Sequence, residues 1–334
     1  MPLPIIENGS IGFNACPDMV EPKRLISLSK LAVRAGFEAV WVSDHFHPWF
    51  DTNATEYHTW VWMSAAMQQI DVPFGTAVTA PLLRYHPAIV AQAFATMEAL
   101  FGHRVILGIG TGEAMNEVPL GYPWPKYAER RDRLIESVQI MKKLWNGGFV
   151  DFVGRYYELN GANLYMKADV PIVMSAMGPK MAKVVGMYGD GLITSGKTPD
   201  YINRVLFPAA REGAKESGRS LDDMLKVVEI DIAYDKEYDR AVKAARKWAA
   251  TLLDEMFNTE ISDPREIEKK GNEKVTDKQL AEVYPIATNE DEFIRRIEEY
   301  FKCGFDHVYL QLNTFDDESA MELFRTRVLP YFKR

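Results

Sequence analysis

The stretch Phe37-Glu38-Ala39-Val40-Trp41-Val42-Ser43-Asp44-His45-Phe46-His47-Pro48-Trp49 contains the change of character on which the fold reading turns. Its first half includes Ala39–Val42, a short apolar run of the kind found in strands covered on both faces. Its second half delivers an acid, two imidazoles and an indole where that strand ends, and Pro48 stops regular hydrogen bonding there. In parallel α/β proteins the carboxyl ends of strands carry the chemistry. The competing reading is structural: a Trp and a His after a strand also serve to plug a barrel end.

Working outward, the alternation of strand-like and helix-like segments continues to both ends of the chain. Strands are expected at Ile11–Asn14, Ala39–Val42, Phe74–Val78, Val105–Ile109, Ile172–Ser175, Gly191–Thr194, Val227–Asp231 and His307–Gln311. Amphipathic helices are expected at Pro22–Arg34, Pro87–Leu100, Tyr127–Trp145, Pro179–Met187, Pro199–Ser217, Ala241–Leu253, Glu290–Tyr300 and Ser319–Tyr331. Pro87 suits a first helical turn. Eight strand–helix units in order give the α/β class and a (β/α)8 TIM barrel. Two segments break the rhythm. Residues 147–170 hold an alternating pattern around Gly154-Arg155, read as an inserted hairpin. Residues 255–284 hold a charged helical segment, Thr259–Ala281, read as a lid over the barrel mouth. Both insertions belong at the carboxyl-terminal face.

Composition narrows the function classes. The chain has 334 residues, 47% hydrophobic and 26% charged, with a formal net charge of −8. That is ordinary globular composition, and no basic cluster interleaved with aromatics points to nucleic acid. No leader is expected in Met1–Glu7 and no membrane span anywhere. The two cysteines, Cys16 and Cys303, stand almost a full chain apart, which fits buried thiols in a reducing cytoplasm better than a disulfide or zinc framework.

A closed barrel gathers on one rim Asp18, Asp44, His45, His47, Trp49, Thr79, Arg84, the run Gly110–Glu117, Ala176–Lys180 and Thr194–Lys197. Gly108-Ile109-Gly110-Thr111-Gly112 lacks the spacing of the dinucleotide fingerprint, lies in the fourth unit and is not expected to open directly into a helix. Its glycines are read as letting backbone approach a flat ligand. Gly178-Pro179 opens a helix and Gly196-Lys197 precedes another, so each is a candidate anion cradle. His45-x-His47 has no third ligand at suitable spacing, so no metal is expected. No Gly-x-Ser-x-Gly elbow supports a hydrolase. Trp60, Trp62 and Met63 read either as an apolar substrate wall or as helix core.

On these residues the chain resembles the luciferase-like family of flavin- and deazaflavin-dependent oxidoreductases. Within it the chain is most similar to the coenzyme F420-dependent branch, which includes sugar-phosphate and secondary alcohol dehydrogenases. The likeness is strongest in Ser43–Trp49, Arg84–Thr96 and Gly110–Glu117. The resemblance implies one barrel domain over residues 1–334, a homodimer, and F420 in the barrel mouth, with FMN as the lesser alternative. It places Asp44, Gly112, Asn116, Met177 and Gly178 at the coenzyme, Gly178 near its phosphate, with a non-prolyl cis bond at Ala77-Val78 under the ring. It gives His45 the proton of the substrate hydroxyl, a role suited to a reference pKa near 6.5. Trp49 would wall the reacting carbon, Glu113 would donate to the reduced ring, and Asp18 would bind substrate or orient His45. Thr194 and Lys197 would contact substrate. The other basic groups of sugar-phosphate members fall near Asn258 and Val283, neither basic, so a neutral alcohol is at least as well suited as a sugar phosphate. Alternatives are a methylene-tetrahydromethanopterin reductase-like enzyme and a barrel that binds F420 or FMN without catalysis. His47 has no assigned role.

Overall fold

The computed structural model describes residues 6–333. Residues 1–5, where most of the expected leaderless amino terminus falls, lie outside the described residues, as does residue 334. Eight parallel strands, numbered around the barrel, form its wall: β1 Ser10–Ala15, β2 Ala39–Val42, β3 Phe74–Thr76, β4 Val105–Ile109, β5 Ile172–Ser175, β6 Gly191–Ser195, β7 Leu225–Tyr234 and β8 His307–Asn313. Each strand bonds to the next, and β8 returns to β1, with Ser10 opposite His307 and Phe13 opposite Leu310. The (β/α)8 TIM barrel expected from the alternation is therefore present.

The helices pack outside because their apolar stripes meet outward-facing strand residues such as Phe13, Val40, Leu107 and Val228. The first begins at Pro22 and ends at Gly36, whose left-handed backbone (φ 115°) lets its N–H reach the Ala32 and Val33 carbonyls. That sharp stop returns the chain to β2.

Inside the barrel the amino-terminal half is packed by Trp41, Ile106, Val173, Ile193, Val227 and Tyr309. The Trp41 indole stacks on Tyr309 with centroids 5.2 Å apart and donates to His307 Nε2 at 3.0 Å. His307 Nδ1 lies 2.7 Å from Ser10 Oγ, so the proton of this neutral ring sits on Nδ1. Burial holds His307 down to about 3. A Trp–His pair does plug this barrel, but at its floor and from Trp41 and His307.

Several boundaries differ from expectation. The third strand ends at Thr76, not Val78; Ala77–Val78 is a cis peptide, and Thr79 then bridges to Ile109. The seventh strand extends beyond Val227–Asp231 to Leu225–Tyr234. A helix at Thr59–Met67 takes Trp60, Trp62 and Met63 into the core, with Trp62 Nε1 on the Pro22 carbonyl at 2.9 Å and Trp60 Nε1 on Thr79 Oγ1 at 3.2 Å. That overturns the substrate-wall reading of those residues.

The first insertion is an antiparallel hairpin, Val150–Val153 with Glu158–Ala162. The second holds the helices Glu255–Asn258, Pro264–Lys274 and Asp277–Val283. It joins Trp49, Phe50 and Met115 in a separate apolar cluster above the barrel, and Glu268 accepts from the Asp51 and Thr52 N–H groups at 3.0 and 2.9 Å. Cys16 and Cys303 are free and buried. Among the described residues no helix is long and apolar enough to cross a membrane.

Candidate active site

The loop leaving β1 buries Asp18 completely. Its Oδ1 accepts from His45 Nδ1 at 3.0 Å, with Oδ2 at 3.3 Å, and Oδ2 also accepts the Trp49 N–H at 3.0 Å. Nδ1 is thereby the protonated nitrogen, and Nε2 is left to exchange a proton. The His45 side chain is 11% exposed. Burial alone lowers an imidazole, but the Asp18 charge and hydrogen bond outweigh it and raise His45 to about 9. Reciprocally, burial pushes Asp18 up while His45 holds it below its usual range.

Glu56, on the same loop as His45, completes a set that sequence reading missed. A carboxylate oxygen of Glu56, one of Asp18 and a ring nitrogen of His45 lie within 4.8 Å of one another. Burial, and then the Asp18 charge, raise Glu56 to about 9. The absence of a third ligand-type residue at suitable sequence spacing thus did not foretell this cluster, which the fold assembles from distant positions. The neighbours are Asp18 and Glu56, whereas His47 turns away to the Ser262 carbonyl of the second insertion, at 3.0 Å. Both Asp18 oxygens are already engaged, so a cation would have to displace existing bonds.

Asp44 follows the end of β2 and is buried in a dense network. Thr79 Oγ1 donates to its Oδ2 at 2.6 Å; Arg84 reaches its carbonyl at 2.6 Å and Oδ1 at 3.0 Å; Tyr85 adds a contact at 3.4 Å. Any part Asp44 plays at a coenzyme is through a carboxylate fixed by these three donors. Arg84 also donates its backbone N–H to Glu117 at 2.8 Å, and burial raises Glu117 to about 7. Asn116 ties the second and fourth rim loops: its Oδ1 accepts from the Phe46 N–H at 2.8 Å and its Nδ2 donates to Glu113 at 3.0 Å.

A one-turn helix, Ala114–Glu117, opens directly after the glycine run, correcting the expectation that none follows. Gly108 and Gly110 are also not primarily a ligand cradle. A Cβ on Gly108 would stand 1.8 Å from the Thr76 carbonyl oxygen, and one on Gly110 would stand 2.6 Å from Val78 Cγ2. They admit the chain's own β3 and the segment beyond it. Gly112 has φ 71°, and its added Cβ would press on Ala80 at 3.0 Å.

The two anion cradles differ. Gly178 starts the ten-residue helix Pro179–Tyr188 with no side-chain cap, and an added Cβ there meets nothing within 4 Å. Free N–H groups at such an end suit a phosphate. The helix after Gly196-Lys197 is capped instead by Thr198, whose hydroxyl accepts from Tyr201 N–H. Thr194 Oγ1 donates to the exposed Met177 sulfur at 3.6 Å, and Lys197 Nζ rests 5.8 Å over the Tyr201 ring. Trp49 is buried, edge-on to His45 at 6.4 Å and against Phe257 of the second insertion at 5.4 Å.

The barrel interior below the rim is acidic. Asn14 Nδ2 donates to Glu229 Oε1 and Gln311 Oε1, each at 2.8 Å. Burial raises Glu229 to about 7 and pushes Asp231 well up. Asn14 Oδ1, Gln311 Nε2 and both polar atoms of Asn313 are buried without a protein partner.

The family model described as luciferase-like monooxygenase matches residues 11–307. An F420-dependent glucose-6-phosphate dehydrogenase of Mycobacterium avium is 38% identical over 330 residues, covering 97% of this chain and 98% of that protein. A solved F420-dependent secondary alcohol dehydrogenase, in complex with an F420-acetone adduct, superposes with a TM-score of 0.94 at 38% identity, covering 98% of this chain and 100% of that one. The coenzyme F420-dependent tetrahydromethanopterin reductase of Methanopyrus kandleri superposes at 0.79 with 26% identity, covering 98% and 99%.

Proposed function

The chain belongs to the luciferase-like family, and within it we propose a coenzyme F420-dependent dehydrogenase that moves a hydride between the carbinol carbon of an alcohol and carbon 5 of the deazaflavin. The observation that carries the reading is the buried Asp18–His45 pair at the barrel mouth. Loss of hydride makes the alcohol's hydroxyl proton strongly acidic, and a positioned imidazole is the group to exchange it. The residues present fit the coenzyme. The uncapped helix at Gly178 offers N–H groups and open space for a phosphate, and Gly112, Asn116 and Met177 stand on the same rim as the Ala77–Val78 segment. When bound, F420 supplies the hydride acceptor or donor. The protein supplies the proton exchange at His45 Nε2, the Glu113–Asn116 pair toward the ring, and Trp49 beside the reacting carbon.

A neutral alcohol suits this mouth best. Glu229 and Asp231 line the interior, Asn258 and Val283 carry no charge, and Lys197 is the one cation assigned to substrate. Lys197 and the sugar-phosphate relatives favour a second reading, glucose-6-phosphate or a similar ester. Protein, oxidised F420 and a panel of secondary alcohols and sugar phosphates should bleach the deazaflavin absorbance with an alcohol. Bleaching by sugar phosphates alone selects the second reading; F420 neither bound nor bleached refutes both. Flavin fluorescence in purified material would mark FMN instead.

A homodimer and a cytoplasmic setting complete the proposal. Exposed Val61, Ile89 and Leu100 on outer helices, with Phe149 and Val153 on the hairpin, offer apolar surface for a second copy. Sedimentation giving a monomer at micromolar concentration would overturn that part.

A further inference from the structure

One half-buried carboxyl beside His45, that of Glu56, has no part in the reaction so far. Glu56 Oε1 accepts the Tyr57 N–H at 3.0 Å, and the protonated Glu56 carboxyl can donate to Asp18. One side of Glu56 faces the set it forms with Asp18 and His45 within 4.8 Å. The other lines a cleft of about 600 Å³ shared with His47, Pro48, Asp51, Thr55 and Pro264. Glu56 thus joins the His45 set to a cleft that Gly178 and Lys197 do not line. The other titratable groups acting on the set are Cys16 from the β1 loop, Tyr57, Glu113 after β4 and Glu229 on β7.

We propose that Glu56 acts through His45 as its proton outlet, a positioning residue by which the proton taken from the alcohol reaches the cleft while substrate and coenzyme close the mouth. The proposal rests on the dehydrogenase reading. In the oxidative direction the alcohol O–H bond breaks and an N–H bond forms on His45. The Glu56 O–H bond breaks and its proton passes to water in the cleft. The His45 Nε2 proton then passes through a water, which spans a gap beyond direct hydrogen-bond reach, to the Glu56 carboxylate, restoring both groups. Asp18 stays ionised throughout, the hydride goes to the coenzyme, and one proton leaves per turnover. Carbonyl reduction runs the same steps backward. The Asp18 charge raises both His45 and Glu56, which brings their proton affinities toward one another.

The test is Glu56→Gln, which keeps the shape and removes the proton, with Glu56→Asp beside it. In the ligand-free protein, the His45 imidazole titration followed by nuclear magnetic resonance should move down in the Gln variant, because the Glu56 charge helps to raise the ring. Turnover in dilute buffer should fall about tenfold or more. It should recover as a small buffer base is added, while wild type and Glu56→Asp stay independent of buffer. A loss that buffer does not restore, or a Gln variant matching wild type in both measurements, overturns the proposal. Wild type that never bleaches F420 sinks the dehydrogenase reading instead, and the ligand-free titration still decides whether Glu56 is coupled to His45.

Discussion

Replacing Asp18 with Asn isolates what one buried carboxylate does to the His45 imidazole. His45 rises from 6.5 to about 9 because the Asp18 charge and hydrogen bond outweigh burial. That rise corresponds to about 3 kcal/mol favouring the charged ring. In wild type at pH 7 only about one ring in a hundred is then free to act as a base, against about three in four at the reference value. The value of kcat/KM for alcohol oxidation reports the free enzyme's groups. It should climb about tenfold per pH unit from 7 and level off near 9, while carbonyl reduction by the reduced coenzyme stays flat over that range and falls above it. Asn at position 18 still accepts a hydrogen bond from Nδ1 but carries no charge. The rising limb should move down by about two pH units or more, and the plateau should drop about 10²- to 10⁴-fold from lost orientation. The assay is deazaflavin absorbance against pH with one secondary alcohol, at constant ionic strength. A limb that stays near 9 in Asp18→Asn would mean that another group charges His45, and the reasoning fails.

Three further outcomes follow from the geometry. Lys197→Ala should leave kcat/KM for a neutral alcohol within about twofold and remove whatever sugar-phosphate activity exists, since a half-buried lysine on the rim acts on an anion as a point charge; an equal loss with both substrates would refute the subsite assignment. Gly178→Asp should weaken F420 binding at least about tenfold by fluorescence titration, with an unchanged melting temperature, because a side chain there meets no protein atom within 4 Å; unchanged affinity would remove the phosphate from this helix end. Trp41→Phe leaves His307 Nε2 without its donor and should cost about 1–3 kcal/mol in denaturant unfolding with little change in KM; a catalytic defect with intact stability would show that the barrel floor reaches the site.

Periodicity was enough for the barrel because each strand announces itself locally, as Ala39–Val42 and Val105–Ile109 do. The rim loops were legible for the same reason: they follow strands. What stayed hidden depends on residues distant in sequence. Gly108 reads as a ligand cradle until Thr76, 32 positions earlier, is found against it. Glu56 belongs to no motif, and only the folding of its loop beside Asp18 gives it a function. Glu229 and Asp231 were readable in principle. They alternate with Val228, Ile230 and Ile232, which face the helices, so their carboxyls face the barrel interior.

The two buried histidines show why residue type alone cannot assign chemistry here. His307 at the barrel floor meets a hydroxyl and an indole N–H, both neutral, and burial drives it to about 3. His45 at the mouth is similarly enclosed but meets a carboxylate, and it moves the opposite way, to about 9. Burial makes each ring sensitive to its nearest partner, and the partner then sets the sign. A ring locked neutral near any working pH cannot exchange protons and serves only as packing. A ring held charged beside a fixed anion, with a second acid within 4.8 Å, can take up and release a proton at modest cost. The plug and the candidate active site are thus one pair of residue types, separated by whether an acid closes the hydrogen bond to the imidazole.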